Sequence, residues 1–106
     1  MPGNLYAGIP GELPEEAAAI LASGSRVRIE RIVSRGHASP PGFWYDQDEN
    51  EWVAVLQGQA RIAFEGQAQP VSLGPGDHLL IKAHQRHRLV STAADRDTIW
   101  LAVFFR

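Results

Sequence analysis

The 106 residues suffice for one hydrophobic core and are too few for two domains of ordinary size. With 44% apolar residues, 21% charged residues and a net charge of −2, the chain has the composition of a folded globule, which excludes general disorder and the basic field that nucleic-acid binding needs. The absence of cysteine excludes disulfides, thiolate catalysis and sulfur-ligated zinc, so any metal would rest on imidazole, carboxylate, amide or phenol groups.

The opening Met-Pro-Gly-Asn-Leu-Tyr has neither the basic flank nor the apolar run of a signal peptide. No stretch reaches the about 20 apolar residues of a membrane span, so a cytoplasmic location without a membrane partner is expected. Leu13-Pro14-Glu15-Glu16 leading into Ala17 to Leu21 reads as a short helix, with proline early and carboxylates at the positive end of the helix dipole. Ser23-Gly24-Ser25 would end it. From Arg26 to Ser34, Val27 and Ile29 alternate with charged residues in a β-branched run that predicts a strand. The segment Arg35 to Phe43, rich in Gly, Pro and Ser, is expected to loop, as segments at the rims of binding sites often do.

The second half predicts short strands separated by turns. Trp52 to Leu56 is apolar; Ala60, Ile62 and Phe64 alternate with Arg61, Ala63 and Glu65; Gly66-Gln67 marks a hairpin turn; Val71 and Leu73 resume the alternation. Gly74-Pro75-Gly76-Asp77 forms a tight turn before strands at His78 to Lys82 and His87 to Thr92. Thr98 to Phe105 is apolar on both faces, as for a central strand or one that meets a second subunit, and a homodimer is expected. With no alternation of strands and helices, a parallel α/β sheet is excluded and an all-β sandwich or barrel remains.

Glu51, six intervening residues, Gly58, and then Pro75-Gly76-Asp77, Ile81 and His87 form a pattern that resembles the paired motifs of the cupins. The resemblance spans residues 26–106 and is closest to small cupins of undefined function that carry a Phe-Trp-Tyr-Asp-Gln segment, here Phe43 to Gln47. It implies a double-stranded β-helix, a jelly roll, over 26–106; with the arm and short helix read from the residues themselves over 1–25, the chain makes one domain. It also implies metal ligands inside the barrel, and it carries over Glu51 and His87. The family's two histidines before the glutamate are absent: Tyr45 and Gln47 stand there with three intervening residues, or Trp44 and Asp46 with four. Lys82-Ala83-His84 replaces the family's Pro-x-Gly.

In a regular strand, the period of two puts Tyr45, Gln47, Glu49 and Glu51 on one face and Asp46, Asp48 and Asn50 on the other. Those three outward residues favour turns, and a loop here would exchange Gln47 for Asp46. The expected metal set is therefore Gln47, Glu51 and His87, with Asp46 as the alternative to Gln47. One nitrogen with oxygens suits a divalent transition metal: zinc, manganese, iron or nickel. Tyr45 and His84 are expected beside a small-molecule ligand. The remaining histidines, His37 and His78, read as structural, and Trp44, Trp52 and Trp100 as core or interface aromatics. No nucleophile elbow surrounds Ser34, Ser39 or Ser91, so serine hydrolysis has no support. A metal-free scheme with Glu51 as base and His84 or His87 as acid is open. Two functions follow: a metal-binding cupin with a small-molecule ligand and oxygenase, isomerase or hydrolase chemistry, or a sensor or storage cupin without catalysis.

Overall fold

The computed structural model describes residues 2–106. Eight strands run in chain order: β1 (Ala17–Ser23), β2 (Val27–Ser34), β3 (Asn50–Gln57), β4 (Ala60–Phe64), β5 (Val71–Leu73), β6 (His78–Ile81), β7 (His87–Thr92) and β8 (Thr98–Phe105). They form a five-stranded sheet, ordered β1-β2-β8-β3-β6, and a three-stranded sheet, ordered β5-β4-β7; every pairing is antiparallel. This is the expected all-β jelly roll. Among the described residues no helix is long and apolar enough to cross a membrane.

The helix expected over Leu13 to Leu21 is not formed. Ala17 to Ser23 is instead strand β1, pairing with β2 from Ala17 opposite Val33 to Ser23 opposite Arg28, with a bulge between Ile20 and Ala22. Alanine favours the helix locally, but a helix of two turns is marginal in water, whereas β2 offers an open row of backbone partners one tight turn away. Gly24 N–H donates to the Val27 carbonyl at 2.8 Å to close that turn. The five-stranded sheet therefore begins within the segment assigned to the arm.

The strand apolar on both faces, β8, is central, with β2 on one side and β3 on the other. Its inward residues Trp100, Ala102 and Phe104 join Val53, Val55, Ile62, Phe64, Ile81 and Leu89 in the buried core between the sheets. Its outward Ile99 is also buried, at 1% exposure. Residues ahead of β1 form an arm tied down by two arginines. Arg31 donates to the carbonyls of Leu5 and Ala7, and Arg35 to those of Gly11 (2.8 Å) and Pro10 (3.2 Å). Arg35 in turn grips Asp97 through two contacts, 2.6 and 3.1 Å long.

Gly58 sets the exit of β3. Its φ is +88°, and a Cβ there would lie 2.4 Å from Thr98 Oγ1, 2.7 Å from Thr98 Cα and 2.9 Å from the Asp97 carbonyl. Only glycine tolerates both the conformation and the approach. The contact is closed by Thr98 Oγ1 donating to the Gln59 carbonyl at 3.1 Å and by Gln57 Nε2 donating to that of Asp97 at 3.0 Å. The end of β3 is thus locked to the start of β8, fixing which β3 side chains face inward.

Candidate functional site

Alternation along β3 turns Glu51 and Val53 inward, and the antiparallel registers put Glu51 opposite Ile81 of β6 and Phe104 of β8. Between the sheets lies a cavity of about 150 Å³, whose wall is mostly aliphatic and aromatic, including Ile32, Ile62, Leu89, Trp100 and Phe104. Its polar lining is Glu16, Tyr45, Gln47, Glu51 and His87; no Lys or Arg takes part among the described residues.

The segment before β3 is laced to the turn before β7. Tyr45 and His87 exchange backbone bonds of 2.7 and 3.1 Å, His84 N–H donates to the Gln47 carbonyl at 2.7 Å, and Ala83 N–H to Asn50 Oδ1 at 2.9 Å. This lacing turns Gln47, and not Asp46, toward the cavity. Tyr45, Gln47 and Glu51 face the cavity, while Asp46 lies outside, 2.8 Å from His84 Nδ1, and Asp48 meets Arg106 at 3.1 Å. Glu49, expected on the inner face, turns to Arg28 instead, at 3.2 and 3.3 Å.

His87 is buried, and its Nδ1 is 2.8 Å from the Gln85 carbonyl. A carbonyl only accepts, so Nδ1 carries the proton and Nε2 turns its lone pair toward Glu51 Oε1, 4.0 Å away. Burial pushes the His87 pKa down, opposed by the Gln85 carbonyl. The Glu51 carboxyl is pushed up, first by burial and then by the charges of Glu30 and Glu16, against the donated Gln47 amide at 3.0 Å. Burial thus disfavours the charge on both groups. His87 Nε2 and Glu51 Oε1 stand 4.0 Å apart at the polar end of the cavity, a gap that a proton, a cation or a ligand's donor could bridge.

Tyr45 stacks on His87 with ring centroids 5.4 Å apart, and Phe43 meets Tyr45 edge-on at 4.8 Å. Both aromatics are more than a third exposed and mark the mouth. The Tyr45 phenol is pushed up, chiefly by burial and then by Glu16 and Glu51.

His84 is not in the cavity. It is exposed and occupies a left-handed turn at φ +63°, in the place where the cupin motif has its glycine. A non-glycine residue there costs about 1 kcal/mol, and an exposed pair such as His84 with Asp46 returns about 1 kcal/mol at most. His84→Gly is therefore expected to match wild type in denaturant melts within about 1 kcal/mol and to exceed His84→Ala by about the same. Ligand or metal affinity lost equally in both variants would instead put His84 in the site. His37 Nδ1 accepts from Arg35 N–H at 2.8 Å in a turn, and His78 packs on Trp52, 5.5 Å between centroids.

Sequence reasoning missed Glu16. It ends the arm just ahead of β1 and enters the cavity, where the Ser34 hydroxyl donates to it and the Trp100 indole N–H donates to Ser34 at 3.1 Å. Its position depends on the course of the arm, for which no local pattern exists.

The resemblance drawn from the sequence implies metal ligands inside the barrel, and the donors present can be tested against a metal. Among the described residues no three His, Asp or Glu side chains converge. Glu51 and His87 can nonetheless share an ion, with the amide oxygen of Gln47 as third donor once that amide turns over. The Nδ1–H of His87 on a backbone carbonyl is the outer-shell bond that metal-ligating histidines make. One nitrogen and two oxygens fit a divalent transition metal.

Residues 31–104 match the family model described as Cupin domain. A protein of Ralstonia eutropha JMP134, solved as a "putative mannose-6-phosphate isomerase", is 46% identical over 99% of this chain and 97% of its own, with a TM-score of 0.95. A cupin superfamily protein of Desulfitobacterium hafniense DCB-2 is 22% identical, covering 92% and 83% of the two chains, with a TM-score of 0.72. The polyketide cyclase RemF of Streptomyces resistomycificus is 18% identical, covering 87% and 66%, with a TM-score of 0.73. These last two share the fold. No curated protein sequence matches the chain.

Proposed function

The chain belongs to the cupin domain family, and from that premise we propose that it binds one divalent transition metal through Gln47, Glu51 and His87, with a small organic molecule beside it in the same cavity. The observation that carries this reading is the approach of His87 Nε2 to Glu51 Oε1, 4.0 Å apart in a cavity whose wall is mostly apolar. Two electron-pair donors so placed are best satisfied by a shared cation. When bound, the metal supplies Lewis acidity toward a ligand oxygen. The Gln85 carbonyl orients His87, Tyr45 covers one face of its ring, and the aliphatic wall lines the rest of the cavity. The name of the 46% identical relative makes isomerisation of a small molecule the first activity to assay.

A second reading rests on the bond from Gln47 Nε2 to Glu51 Oε1, 3.0 Å, which steadies the carboxylate without a metal. It makes the protein a ligand-binding sensor or storage cupin. Elemental analysis separates the two. Protein purified without chelators or a metal-binding tag should carry zinc, manganese, iron or nickel at near one atom per chain. Metal-free protein that takes up none of these ions would leave only the second reading.

A homodimer belongs to the same proposal. The edge strand β1 exposes Ile20 (64%) and Leu21 (48%) without a charged residue or proline along its length, and β6 at the other edge exposes Leu80 (46%). Unguarded edges favour pairing between copies. Sedimentation at micromolar concentration should give a dimer; a monomer would remove this part of the proposal.

A further inference from the structure

Glu16 has no counterpart in the metal set, yet it is the second carboxylate of the cavity. It reaches the cavity from the arm that Arg31 and Arg35 hold in place. One of its oxygens takes the Ser34 hydroxyl, which is itself fixed by the Trp100 indole. No basic side chain pairs with it, and none lines the cavity among the described residues. A cation held at Glu51 and His87 would neutralise that end, near Phe104 of β8. The anchor of Glu16 lies by Trp100, four residues away along the same strand. The Glu16 end therefore keeps a carboxylate that a ligand's donor can reach.

We infer that Glu16 is a specificity-determining residue of the cavity, accepting a hydrogen bond from an ammonium or hydroxyl group of the ligand and rejecting ligands that bring a phosphate or carboxylate to that end. A carboxylate in an apolar cavity strengthens its bond to a donor and repels an anion, because little water screens either. The inference rests on the reading of the cavity as a ligand site and adds the chemistry of one end. It also separates this chain from any requirement that its ligand be phosphorylated.

Three probes of nearly equal size test it: n-butylammonium, n-butanol and butyrate, titrated at millimolar concentration into the protein as isolated. The ¹H–¹⁵N cross-peak of the Trp100 indole reports the Glu16 end. The amine should shift that peak and bind about tenfold or more tighter than butyrate, with the alcohol between. In Glu16→Gln the amide oxygen still accepts from Ser34, so the Trp100 anchor is kept and only the charge is lost. The preference for the amine should then fall to near parity. Binding of all three without preference, or a preference unchanged in Glu16→Gln, would overturn the inference and leave the ligand site standing. If no probe shifts any cavity resonance, the ligand site itself fails and the inference with it.

Discussion

Gly58→Ala is expected to lower stability by about 3–5 kcal/mol, enough to unfold much of the protein at physiological temperature. Two costs combine. The residue sits at φ +88°, where an L side chain is strained by about 1–2 kcal/mol. The new Cβ would also overlap Thr98 Oγ1 and Cα, at 2.4 and 2.7 Å, in the bonded junction between β3 and β8. Gly66 supplies the control, since its φ of +87° is nearly the same and nothing lies within 4 Å of its Cβ position. Gly66→Ala should therefore lose only the backbone strain, about 1–2 kcal/mol. Urea melts of the two variants isolate the steric part. Equal losses would contradict the close approach.

The second large effect falls on the metal. His87→Ala and Glu51→Gln should each weaken zinc binding by at least about a hundredfold, beyond the loss expected of an outer-shell partner. The two variants should differ in stability. Because the folded protein holds the Glu51 carboxyl up, it binds that proton more tightly than the unfolded chain does. Metal-free wild type thus loses stability as pH rises from the unfolded carboxyl range through the raised folded value. His87 acts oppositely: its depressed folded value makes stability rise with pH up to the ordinary imidazole range. Glu51→Gln removes the first slope and keeps the second. It should equal wild type in acid, exceed it at neutral pH without metal, and still fail to bind zinc. A variant destabilised at neutral pH would show that the Glu51 carboxylate supports the fold.

The strands from β2 to β8 are legible because their residues alternate and their turns carry Gly, Pro and Asp. Glu51 and His87 are singled out by the family resemblance, and the register of β3 and the turn before β7 turn both side chains inward. Gln47 is half legible. Its parity with Glu51 predicts an inner face, but Asp46 and Asp48 predict a loop, and both hold: the segment loops while cross-bonds to His84, Ala83 and His87 preserve the parity. The alanine run of β1 misleads because its local preference is helical and its partner strand is supplied by the fold. Glu16 is illegible for the same reason at longer range: the arginines that guide it lie on β2 and just beyond it. His84 misleads differently, since a histidine near a ligand histidine suggests chemistry, and only its backbone angle shows a turn residue in glycine's place.

The most direct test of the metal centre is anomalous diffraction from crystals grown with zinc. A peak is expected inside the barrel beside His87 and Glu51, with the Gln47 amide oxygen turned toward it. Zinc found only at surface sites such as the His84 and Asp46 pair, with the Gln47 amide still donating to Glu51, would contradict it.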